Sequence, residues 1–105
     1  MISTQTIDRI CRVIVEVERP DKVILFGSNA TGTATEQSDL DIMVVGNYSR
    51  PRPYRGKETR KRLTEFMVPK DVVFYTREEM DRWSDVPCSF VSEVMRTGQV
   101  LYDRR

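Results

Sequence analysis

The feature that most constrains the fold is a pair of short β-rich runs on either side of a polar segment. The first run, KVILF at residues 22–26, leads directly into Gly27 and Ser28, and the second, DLDIMVV, begins at Asp39. The ten residues between Ser28 and Asp39 are too rich in glycine, threonine and other polar side chains to form a core element. The pattern predicts two strands joined by one helical turn and a loop.

The rest of the chain predicts helices and two more strands. Apolar residues recur at helical spacing near the amino terminus until Pro20, and Thr76 and Gly98 have the residue types that begin and end helices. The predicted helices cover residues 4–18, 57–67, 76–83 and 86–98, and the further strands cover 70–76 and 99–103. We therefore expect one α/β (α+β) domain over residues 1–105, a small mixed β-sheet covered by helices.

Charge and hydropathy limit the classes of function. The 105 residues include 17 basic and 16 acidic side chains, so no overall field marks the chain as a nucleic-acid binder, and direct nucleic-acid binding is left open. No apolar run approaches the roughly 20 residues of a membrane helix, and the first residues have no signal-peptide core. We expect a cytoplasmic protein without membrane contact.

The absence of histidine narrows the chemistry further. We expect no zinc site of the usual ligand types, and Ser-His and Cys-His nucleophiles are excluded. Cys11 and Cys88 belong to no Cys-x-x-Cys pair, and we expect two reduced, partly buried thiols. An enzyme built from this chain must use carboxylates and a cation.

Two carboxylates lie inside the second β-rich run. Asp39 and Asp41 alternate with Leu40 and Ile42, so both aspartates share a face with Met43, which we expect to be open while the opposite face is buried. Residues two apart on a strand are roughly 6.5 to 7 Å apart, close enough to bracket one cation or two. Their repulsion would raise at least one pKa, and a bound divalent ion would relieve it. Oxygen ligands favour magnesium or manganese.

Two neighbouring features would complete such a site. Asp71 opens the next predicted strand and would come near Asp39 and Asp41 if the two strands lie side by side with aligned starts. Gly27 and Ser28 follow a strand and precede a helical turn, where backbone N–H groups bind phosphate. Taken singly, each residue also fits an ordinary turn or exposed strand position.

Gly27-Ser28, ten intervening residues and Asp39-Leu40-Asp41 together resemble the signature of the DNA polymerase β-like nucleotidyltransferases. Further positions match the minimal branch of that superfamily: Ala30, Gly32 and Ser38. Asn29 and Thr31 stand where relatives often have arginine. The resemblance implies a polymerase β-like palm. It also implies an antitoxin role, because many minimal members are partners of HEPN-domain ribonuclease toxins.

The same resemblance implies an activity and its residues. ATP would donate AMP to a tyrosine hydroxyl of the HEPN toxin and release pyrophosphate, with two Mg²⁺ ions, or Mn²⁺, as cofactors. Asp71 would also help to deprotonate the attacking hydroxyl. The implied nucleotide-binding residues are Gly27, Ser28 and Ser38, and the implied catalytic and metal-binding residues are Asp39, Asp41 and Asp71.

Alternative functions also fit the sequence. They are a non-catalytic antitoxin that neutralises its partner by binding, and a nucleotidyltransferase acting on a small molecule or an RNA end. We expect no acceptor domain beyond the palm, and therefore an acceptor surface supplied by the toxin in a hetero-oligomer or by a second copy in a homodimer.

Two surface features have open roles. Residues 50–62 carry seven basic side chains and one acid, which predicts either a mobile contact loop for phosphates, RNA or an acidic partner, or a solvated segment. The aromatic and apolar residues of the last two helices form either a partner-facing patch or, as we favour, core: Trp83, Phe90, Val91 and Val94.

Overall fold

A computed structural model describes residues 2–104; Met1 and Arg105, which the single-domain prediction included, lie outside the described residues. The predicted α/β class is confirmed. The elements in chain order are α1 (Thr4–Glu18), β1 (Lys22–Phe26), α2 (Ser28–Thr31), β2 (Leu40–Gly46), a 3-10 turn (Arg52–Tyr54), α3 (Lys57–Leu63), β3 (Lys70–Thr76), α4 (Arg77–Trp83), α5 (Phe90–Thr97) and β4 (Gln99–Asp103).

The four strands form one mixed sheet in the order β3-β2-β1-β4. β1 pairs antiparallel with both β2 and β4, whereas β2 and β3 are parallel and joined by a crossover that contains α3. The starts of β2 and β3 and the end of β1 therefore meet at one end of the sheet. The predicted site residues come from these three strand ends.

Helices cover both faces of the sheet, because successive strand side chains point to opposite faces and apolar side chains occur on both. α1 and α3 pack on one face through Ile10, Ile14 and Leu63. α4 and α5 pack on the other through Met80, Val91 and Val94. The strand side chains below α4 and α5 are Ile24, Met43, Val45 and Tyr75.

The prediction of an open face for Asp39, Asp41 and Met43 is wrong in part. Met43 is fully buried, because it lies in the cluster that α4 and α5 cover. Asp41 is half-buried and Asp39 is exposed, so the face opens only at the start of β2. The carboxylates are thus confined to one edge of a face that is otherwise covered.

Two helices are shorter than predicted. α3 ends at Leu63 instead of residue 67, because the Thr64 N–H bonds to the Lys61 carbonyl three residues back and tightens the chain into a turn. The last helix begins at Phe90 and not at residue 86, with Ser89 as its N-cap. Cys88, at a φ of 63° just before that cap, has a backbone that cannot belong to the helix.

The two cysteines differ in burial. Both thiols are free, but only Cys11 is buried; Cys88 is exposed, contrary to the expectation of partial burial. Burial, with Asp8 nearby, raises the pKa of the Cys11 thiol.

Within residues 2–104, no helix has the length and apolar content to cross a membrane.

The basic segment contacts the edge strand through Arg55, and at this residue the predictions of a contact side chain and of a solvated one are both wrong. Arg55 is 7% exposed. Its guanidinium donates to both Glu79 carboxylate oxygens, at 2.7 and 3.2 Å, and to the carbonyls of Phe74 and Arg50. The hydrogen bond from Arg55 lowers the pKa of Glu79. We call this arrangement the Arg55 clamp; it ties the chain before α3 to the start of α4.

Candidate active site

The starts of β2 and β3 bring two carboxylates together. In the parallel pairing, Asp41 and Asp71 are direct register partners, which confirms the predicted side-by-side placement of the two strands. Neighbouring strands are about 4.8 Å apart. Asp39 lies one residue before β2, at the same end of the sheet. Three acidic positions from two strands therefore meet at this end.

The end of β1 brings a glycine against the middle carboxylate. Phe26 is the register partner of Asp41, so Gly27 follows at the same end. Gly27 has φ 74° and ψ −159°, a conformation that is essentially restricted to glycine. A Cβ at this position would overlap the Asp41 Oδ2 atom and lie 3.3 Å from its Cγ atom. Asp41 thus rests directly on the bare backbone of Gly27.

Asp41 has a perturbed pKa. Partial burial raises it above the usual aspartate value, and the negative charges of Asp71 and then Asp39 raise it further. Crowded hard oxygen donors of this kind are the ligand type that magnesium and manganese prefer, because a divalent cation cancels the repulsion. The donor set therefore fits such an ion.

The side chains are not yet arranged around a common point. Within residues 2–104, no group of three or more acidic, cysteine or histidine side chains could hold a metal ion as it stands. The fold therefore juxtaposes the three predicted positions without bringing their carboxylates into a coordinating arrangement. Metal binding by Asp39, Asp41 and Asp71 stays a prediction that requires their side chains to turn toward one another.

The predicted nucleotide-binding residues lie in and after the short helix α2. Gly27 is its N-cap, and its carbonyl accepts hydrogen bonds from the Ala30 and Thr31 N–H groups at 3.0 and 3.2 Å. Ser28 opens α2 and is half-buried. The Ser38 hydroxyl accepts from the Thr35 N–H at 2.9 Å and so orders the turn before β2. Their nucleotide contacts stay predictions.

Asn29 is a positioning contact that the sequence comparison treated only as a departure from arginine. Its side-chain amide donates to the Asp39 main-chain carbonyl at 3.0 Å. The bond links α2, which follows the glycine, to the residue that carries the first carboxylate. A short amide after Gly-Ser is the signal that could have indicated this link.

The sequence analysis did not identify the contacts that Phe90 makes with two aromatic rings of the sheet, one of them opposite Asp41. The ring centres of Phe26 and Phe90 are 5.3 Å apart in an edge-to-face pair, and those of Tyr75 and Phe90 are 6.1 Å apart.

The predicted core assignment of the last helices is confirmed for Val91 and Val94 but wrong for two aromatic residues. Trp83 and Phe90 are 46% and 45% exposed.

The fold is one that nucleotidyltransferases adopt. The crystal structure of a putative nucleotidyltransferase from Sulfolobus solfataricus superimposes with a TM-score of 0.58, at 18% identity, over 95% of this chain and 79% of that one.

A family model for the nucleotidyltransferase domain matches residues 7–100, so the chain belongs to that family and is a nucleotidyltransferase. A relative from Methanocaldococcus jannaschii, named "putative protein adenylyltransferase", is 34% identical over 84 residues, which are 80% of each chain.

Proposed function

We propose that this nucleotidyltransferase attaches AMP from ATP to a hydroxyl group of a partner protein. The observation that carries the proposal is the register pairing of Asp41 with Asp71 beside the glycine-only turn at Gly27. This arrangement places crowded carboxylates beside a backbone turn that carries no side chain. The name of the relative from M. jannaschii supports a protein as the acceptor.

The chain's own residues would divide the work in the following way. The N–H groups around Gly27 and Ser28 would bind the triphosphate, with Ser38 ordering the adjoining turn. Asp39 and Asp41, with Asp71, would hold divalent ions. When bound, such ions neutralise charge on the attacking and leaving oxygens. Asp71, exposed at the start of the edge strand, would accept the proton of the acceptor hydroxyl.

The reaction balances as an in-line displacement. A bond forms between the acceptor oxygen and the α-phosphorus, and the bond from that phosphorus to the oxygen bridging to the β-phosphate breaks. Pyrophosphate leaves with the electron pair, and the hydroxyl proton passes to a carboxylate. Positioning and electrostatics supply most of the acceleration in such transfers, which suits a chain without histidine.

We further propose that the acceptor is a tyrosine of a HEPN-domain ribonuclease toxin and that the protein acts as its antitoxin. This part rests on the resemblance of the Gly27-Ser28 and Asp39-Leu40-Asp41 pattern to the minimal nucleotidyltransferases. A phosphate group added beside a ribonuclease site would repel the RNA backbone and fill space. Modification alone would then neutralise the toxin.

The test is a transfer assay with the co-expressed partner, Mg²⁺ and ATP labelled on either the α- or the γ-phosphate. Transfer of AMP labels the partner only from α-labelled ATP, and mass spectrometry locates the modified residue. Asp41→Asn should abolish the label. Asp85→Asn, an equivalent change at an exposed position between α4 and α5, should retain it.

Two results would contradict the proposal in different ways. If wild type and Asp41→Asn neutralise the partner equally and no adduct forms, the protein acts by binding alone. If the label appears on an RNA end or a small molecule instead of the partner, the activity is nucleotidyl transfer but the acceptor is wrong.

A further inference from the structure

Phe90 is an exposed ring held in a fixed position. It is the first residue of α5 and is 45% exposed, although its ring packs against two others. The ring of Phe26 meets it edge to face at 5.3 Å, and the ring of Tyr75 lies at 6.1 Å. Apolar rings that are ordered yet exposed present a surface without further cost in side-chain entropy.

Arg52 of the basic segment also contacts the ring cluster of Phe26, Phe90 and Tyr75. Arg52 donates to the Tyr75 hydroxyl at 2.7 Å, and its guanidinium lies 4.8 Å from the centre of the Tyr75 ring. This contact uses one arginine of the basic segment to fix the third ring. The cluster therefore has little freedom to shift when a flat ligand packs on Phe90.

The ring cluster adjoins the carboxylates. Phe26 and Asp41 are opposite each other in the antiparallel pair and so lie on the same face of the sheet. Directly opposite residues have Cβ atoms about 5 Å apart, and the Phe90 ring centre is 5.3 Å beyond that of Phe26. Phe26 thus links the Phe90 ring to Asp41, because it contacts the ring and is the register partner of the carboxylate.

We propose that Phe90 is the stacking surface for the base of the nucleoside triphosphate at this site. This inference rests on the proposed nucleotidyl transfer. The base is favoured as occupant because Phe26 links the ring both to Asp41, which would hold a divalent ion, and to the adjoining Gly27 turn, which would bind the triphosphate. Stacking on an aromatic side chain contributes to the affinity for any base, because every base has a π-face.

The experiment compares ATP with inorganic tripolyphosphate, which lacks a base, by calorimetric titration in Mg²⁺. Loss of base stacking in Phe90→Ala should weaken ATP binding about tenfold and leave tripolyphosphate binding unchanged. Phe90→Trp should retain wild-type affinity for ATP. Trp83→Ala is the matched control, because Trp83 is equally exposed but lies outside the ring cluster.

Each other outcome overturns the assignment. If Phe90→Ala binds ATP as tightly as wild type, Phe90 does not stack on the base, and the proposal of nucleotidyl transfer is unaffected. Equal weakening of ATP and tripolyphosphate shows that Phe90 only supports the fold of the site. Unchanged nucleotide affinity with slower transfer to the acceptor shows that the ring contacts the acceptor. If wild type binds neither compound, nucleotidyl transfer itself fails, and the stacking role fails with it.

Discussion

Replacing Asp41 by asparagine should stabilise the protein in the absence of divalent ions while abolishing nucleotidyl transfer. Asp41 is the register partner of Asp71 and follows Asp39 by two residues, and its pKa is raised by partial burial and then by both charges. At about 5 Å, two unit charges repel by roughly 0.8 kcal/mol in water and roughly 3 kcal/mol at an effective dielectric constant of 20. Because Asp39 and Asp71 are exposed, we expect the lower end, about 1 kcal/mol.

A gain of this size corresponds to about 4 °C in Tm for a domain of this length. The size of the gain depends on pH. Since the folded-state pKa of Asp41 is raised above 3.8, the folded protein binds its proton more tightly than the unfolded chain does. Wild type therefore loses stability as pH rises through the interval between the unfolded and folded pKa. The two proteins should be equally stable near pH 3 and differ fully at pH 7.

Thermal unfolding followed by circular dichroism in EDTA at both pH values measures the difference. Added Mg²⁺ should raise the Tm of wild type more than that of Asp41→Asn, because binding stabilises only the state that binds. High salt should shrink the gap in EDTA. The reasoning is refuted if Asp41→Asn is less stable than wild type at pH 7, or if the exposed control Asp85→Asn gains as much.

Two further substitutions test the surrounding structure by urea unfolding. Arg55→Ala should lower the free energy of unfolding by about 2 to 3 kcal/mol, which is less than the roughly 3 to 5 kcal/mol of a fully buried pair because Glu79 is partly exposed. Removal of the exposed Arg62 side chain, whose ion pairs are 3.7 and 3.8 Å long, should lower it by under about 0.5 kcal/mol. Equal losses from the two changes would contradict the clamp. Gly27→Ala should lower the free energy of unfolding by about 1 to 3 kcal/mol and abolish ATP binding. Gly32→Ala should retain ATP binding, because a Cβ at that position meets no atom within 4 Å. If both variants bind ATP, the turn at Gly27 does not belong to the nucleotide site.

The sequence predicted the carboxylate end of the sheet because local rules determine it. Alternation places Asp41 on a defined face, and an aspartate at the start of each of two parallel strands meets its partner without any long-range information beyond strand adjacency. The covered position of Met43 could not be predicted in the same way. It depends on where α4 and α5 cross the sheet, and a period of two residues describes the strand without saying which helices pack on it.

The basic segment shows why charge patterns have limited predictive value. Arg55 is one of seven basic residues in the same segment, and its distinguishing partner, Glu79, lies 24 residues further along the chain. Glu79 also completes the capping box with Thr76 at the start of α4. One carboxylate therefore fixes both a helix start and a buried guanidinium. Because a buried cation is tolerated only where such a partner exists, the burial of Arg55 is a property of the folded sheet edge and not of the segment that carries it.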